Sequence, residues 1–67
     1  AMEIFHTIPD IDGLYWYIVP GQKPEPVLVD VERYGSGKFA GFNGRKQSWL
    51  RDNEYLVGPQ LAPEIKQ

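Results

Sequence analysis

The chain has 67 residues, no Cys, a formal charge of -2, seven glycines and six prolines. A length this far below that of two domains places every element in one small core, and the missing Cys excludes disulfide stapling. His6 is the single imidazole, whereas a structural zinc centre takes four Cys or His groups. Core packing and self-association are the supports left to the fold, and no cofactor is expected.

No apolar run approaches the roughly 20 residues needed to cross a bilayer, and the N-terminus has no basic segment leading into an apolar stretch. The expectation is a soluble, cytoplasmic protein without a membrane partner. Ala1 ahead of Met2 reads as the remainder of a cleaved tag, making Met2 the natural start. Charge is unevenly spread. Residues 1–32 carry Glu3, Asp10, Asp12, Glu25, Asp30 and Glu32 against Lys23, while residues 33–67 carry Arg33, Lys38, Arg45, Lys46, Arg51 and Lys66 against Asp52, Glu54 and Glu64.

In chain order, residues 1–12 form an arm in which Ile4 and His6 alternate against Phe5 and Thr7, a pattern compatible with an edge strand over Met2 to Ile8. Gly13 to Val19 is a run of aromatic and β-branched residues that reads as a strand apolar on both faces, Leu14, Trp16 and Ile18 against Tyr15, Tyr17 and Val19. The prolines and glycine of residues 20–26 stop it. Val27 to Arg33 then alternates cleanly, which sends Val27, Val29 and Val31 into the core.

Tyr34-Gly35-Ser36-Gly37 predicts a turn, and Lys38 to Phe42 a third strand in which Gly41 suggests a bulge or bend. Asn43-Gly44 predicts a two-residue type I′ hairpin into a fourth strand, Arg45 to Leu50. Arg51 to Glu54 suits a single 3₁₀ turn. Tyr55 to Val57 is a last strand closed by Gly58-Pro59, and residues 60–67 read as a loosely held tail. No window offers a capped helix with a 3.6-residue apolar stripe. Five short strands with this loop pattern over residues 13–59 resemble an SH3-like barrel, so the fold class expected is all-β.

Catalytic constellations are scarce. Asp10 and Asp12 share one side of an extended chain, as a metal or hydrolytic pair would, but they also suit a turn into the first long strand. Gly35-Ser36-Gly37-Lys38 lacks the spacing and the helix of a phosphate loop. The chain is read as non-enzymatic. Nor does it carry the Ala-Leu-Tyr-Asp-Tyr segment or the long acidic loop of true SH3 domains, although Pro59-Gln60-Leu61-Ala62-Pro63 could itself be a proline-rich ligand.

Two binding readings remain. Nine aromatic residues exceed what so small a core can hold, and the surplus predicts a protein-contact or self-association surface with Tyr15, Tyr17, Tyr34 and Trp49 as its candidates. The alternative is nucleic acid: Arg33, Lys38, Arg45, Lys46 and Arg51 fall in a segment without acids, interleaved with Tyr34, Phe39, Phe42 and Trp49. The net negative charge weighs against it.

Gly-Leu-Tyr-Trp-Tyr, Pro-Glu-Pro-Val and Tyr-Leu-Val-Gly-Pro are similar to words in small phage and prophage proteins of bacteria, which tend to read Gly-Tyr-Tyr-Trp, Trp-Glu-Pro-Val and Ile-Gly-Pro. The resemblance spans most of residues 13–59 and departs at Lys23-Pro24, where the second word's Trp is missing. It implies a bacterial cytoplasmic setting and brings no established activity with it.

Overall fold

A computed structural model describes residues 3–60, and the expected tail lies outside them from residue 61 onward, as do Ala1 and Met2. The strands are β1 (Glu3–Phe5), β2 (Gly13–Ile18), β3 (Glu25–Val29), β4 (Phe39–Gly41), β5 (Lys46–Gln47) and β6 (Tyr55–Gln60), with one helical turn, α1 (Val31–Tyr34), after β3. They make a single antiparallel sheet in the order β1-β6-β2-β3-β4-β5. The all-β expectation holds. The sheet is not closed: β1 and β5 are its edges, and the N-terminal arm contributes the β1 edge by pairing Ile4 with Val57 and Phe5 with Leu56.

The core is Tyr15, Tyr17, Val27, Val29, Phe39 and Leu56. Residues directly opposite on neighbouring strands share a face, and Tyr15 stands opposite Val27. The valine face of β3 therefore carries the β2 tyrosines inward with it. This corrects the expectation that Tyr15 and Tyr17 are surface contacts, since they are 0% and 5% exposed. Tyr15 meets Phe5 edge to face at 5.9 Å, and Tyr17 packs on Phe39 at 5.2 Å. Burial of rings this large contributes about 1.5–3 kcal/mol apiece.

Close packing of Tyr15 depends on Gly58. A Cβ at that position would stand 2.9 Å from the ring and 3.0 Å from the Leu14 carbonyl oxygen. Beyond it β6 continues to Gln60, further than the expected end at Val57, across a cis Gly58-Pro59 bond. The β2–β6 register shifts between Leu14 and Trp16, an irregularity that accommodates a proline without an N–H in a central strand.

Further elements differ from the sequence reading. The valine strand stops at Val29, because the Asp30 carboxylate accepts from the Arg33 amide at 3.1 Å and N-caps α1. The first free amide of that turn, Val31 N, donates to Asp12 at 2.9 Å, and Val31 packs against the core from the helix. The β4–β5 turn is also longer than type I′ geometry allows. Only Gly44 has positive φ there, at 87°, while the Asn43 side chain accepts from the Arg45 amide at 3.0 Å. The loop spans residues 42–45. β5 is cut to two residues where the Gln47 side chain donates to the Trp49 carbonyl at 2.6 Å and draws the chain out of the ladder. Where the sequence suits a 3₁₀ turn, Arg51–Glu54 makes a simple hydrogen-bonded turn, closed by Glu54 N donating to the Arg51 carbonyl at 3.0 Å.

Candidate functional site

Since Tyr15 and Tyr17 fill the core, strand alternation turns Leu14, Trp16 and Ile18 to the outer face. Those three are half-buried. The register sets Ile4 beside Val57, Val57 beside Trp16 and Trp16 beside Pro26, an apolar row across four strands. Leu14 opposite Leu28 and Ile18 opposite Tyr55 flank it. Ile4 is 60% exposed at the sheet edge. Between β2 and β6 the row opens into a recess of about 520 Å³ lined by Trp16, Ile18, Lys23, Pro24 and Val57.

The recess is built by sequence-local causes. The loop from Pro20 to Pro24 cannot pair, so it stands beside the sheet and brings Pro24 and the Lys23 stem to the margin of Trp16. Lys23 is the one charged residue of the lining. Sequence reasoning missed this face although it recognised that β2 is apolar on both sides. The signal that separates the sides is pairing with the valines of β3, which requires the register.

A second hollow, of about 180 Å³, opens beside Tyr17, Glu25, Arg45, Gln47, Trp49, Arg51 and Glu54. Its floor is polar and hydrogen-bonded. Gln47 receives Arg45 at 2.6 Å and contacts the Tyr17 hydroxyl at 3.4 Å, and Glu54 accepts from the Arg51 amide at 3.1 Å. Burial alone would raise the Glu54 carboxyl. It is outweighed by the Arg51 amide, the Tyr17 phenol and the charges of Arg51 and Arg45, which leave Glu54 below the usual carboxylate value. Burial raises the Tyr17 phenol; Gln47 and Arg45 oppose this, and Glu54 reinforces it.

The structure places Trp49 at the rim, 53% exposed, with the Arg51 guanidinium 5.6 Å above its ring. Tyr34 is half-buried and carries two cations, the Lys46 ammonium at 5.4 Å and the Arg33 guanidinium at 5.9 Å. Lys38 lines the same hollow as Tyr34 and Lys46. The five cations read from sequence thus gather around two rings, Arg33, Lys38 and Lys46 at Tyr34, and Arg45 and Arg51 at the Trp49 hollow.

The two aspartates weighed as a metal or hydrolytic pair hydrogen-bond within the scaffold. Asp10 accepts from the Ser36 hydroxyl at 2.7 Å and the Gly37 amide at 2.9 Å, and Asp12 holds the start of α1. His6 lies against Tyr55, ring to ring at 6.1 Å. Among the described residues no group of three or more His, Cys, Asp or Glu could hold a metal ion, and no helix is long and apolar enough to cross a membrane. Comparison with known protein families, curated proteins and solved structures gives no match to this chain.

Proposed function

We propose that this chain is a non-catalytic binding module that contacts protein through the outer face of its sheet, with a second copy of itself as the first occupant. The observation that carries the reading is the apolar row Ile4, Val57, Trp16 and Pro26 and the recess beside it. A soluble domain rarely leaves so continuous an apolar surface uncovered. A second copy is favoured because the core cluster among the described residues is small, six buried side chains, the chain has no Cys, and self-association is a usual support at this size. The order in which the last five strands pair, β6-β2-β3-β4-β5, supports an SH3-like architecture to which β1 adds an edge.

Sedimentation velocity from about 1 µM to 1 mM spans the affinities expected of such a contact. The wild-type protein is expected to move from monomer to dimer. Trp16→Ala removes a central aromatic anchor, a change that typically costs about 2 kcal/mol or more, so it weakens the dimer at least roughly thirtyfold. A wild-type protein that stays monomeric throughout, with Trp16→Ala indistinguishable from it, rules the proposal out.

A further inference from the structure

We infer that the acid-free segment from Arg33 to Arg51 forms a second, separate site, which binds single-stranded nucleic acid by stacking unpaired bases on its open rings and holding phosphates with its cations. Its Tyr34 group lies beside β4 and β5, at the far end of the strand order from the β6–β2 recess, and its Trp49 hollow reaches back to Tyr17 of β2 and Glu25 of β3. Neither shares a lining residue with the recess.

Three observations converge on it. Among the described residues the exposed large aromatics are Phe42, at 69%, and Trp49, at 53%, and both fall inside this segment. Rings left in water at a surface rich in cations are what base stacking uses, because every base has a π-face. The cations are also already gathered at rings: Lys46 and Arg33 over Tyr34, and Arg51 over Trp49. The β4–β5 loop, with exposed Arg45, stands between these two groups in the chain.

The net negative charge of the chain is less adverse here than it looks. Two of the acids near the site are engaged in the scaffold, Asp30 capping α1 and Glu54 buried against the Arg51 amide and the Tyr17 phenol, while Glu32 and Asp52 are exposed just outside its two ends. Glu25 remains as a lining carboxylate of the Trp49 hollow, so the phosphates are held chiefly at the Tyr34 group. Double-stranded ligands fit poorly, because a duplex hides its base faces and α1, at four residues, is too short to read a groove.

The test is fluorescence anisotropy of the full chain with labelled oligothymidylate, oligouridylate of the same length and a mixed-sequence duplex, in increasing NaCl. Both single strands should bind and the duplex should bind more weakly; a difference between the first two tells DNA from RNA preference. With about four phosphates neutralised, affinity falls roughly 50-fold from 50 to 200 mM salt. Trp49→Ala is expected to weaken binding roughly 5- to 150-fold, and Lys46→Glu with Arg51→Glu to abolish it. All three positions are exposed, and circular dichroism checks that each variant folds. Trp16→Ala, which disables the recess, should bind normally, so failure of this site and failure of the protein contact are separable. No binding at low salt, binding indifferent to salt, equal affinity for duplex, or an equal loss in Trp16→Ala would each overturn the inference.

Discussion

Gly58 shows how much a single hydrogen in place of a methyl can decide. Its missing side chain is the space that the Tyr15 ring and the Leu14 carbonyl occupy. Gly58→Ala therefore overpacks the centre of the sheet and should destabilise the domain by about 1–3 kcal/mol. Thermal or denaturant unfolding reads the effect; an unchanged midpoint would mean that the ring relaxes at no cost. The buried phenols set the alkaline limit. Burial, followed by the Asp12 and Glu3 charges, raises Tyr15, and burial with Glu54 raises Tyr17 against Gln47 and Arg45. Folding holds both neutral, so their contribution is full below the ordinary value of 10.0 and is lost as pH climbs through their raised values. Glu54 works in the opposite sense: held below its ordinary 4.5, it stabilises the fold above that pH and loses the contribution as acid protonates it. Denaturant midpoints across pH should fall at both ends, with Glu54→Gln flattening the acid limb and Tyr17→Phe the alkaline one.

At the scale of elements, the valine alternation, the strand over Gly13 to Ile18 and the turn before the last strand were legible because each is a local pattern. What escaped is decided by side chains that reach across the sequence. Asp30 reads as one polar position in an alternating strand, yet it caps α1 and ends β3. Asp12 contacts Val31 from nineteen residues away, a distance no pattern spans. Asp30→Ala should cost about 1 kcal/mol in unfolding free energy, with Asp30→Asn retaining most of it. Equal stability of Asp30→Ala and the wild type would show that α1 is set by packing of Val31 alone. The candidate site was half legible for the same reason. The acid-free cation segment is visible in the sequence, whereas assigning Tyr15 to the core and Trp16 to the surface needs the β2–β3 register.

The whole molecule presents two unlike surfaces on one small sheet. One is the apolar row and recess around Trp16; the other is the pair of cation groups, one at Tyr34 and one at Trp49, beside β5. Covering the apolar face as proposed would add burial to a core cluster of six side chains among the described residues, so dimerisation should raise the melting temperature with protein concentration. A concentration-independent melting temperature would separate folding from association. The central claim, that the Trp16 face is a contact surface, is tested most directly by the fluorescence of a Trp49→Phe variant, in which Trp16 is the sole indole. Raising the protein concentration should shift its emission to the blue and protect it from iodide as a second copy covers the recess. Emission and quenching that stay constant up to the highest soluble concentration would contradict the account.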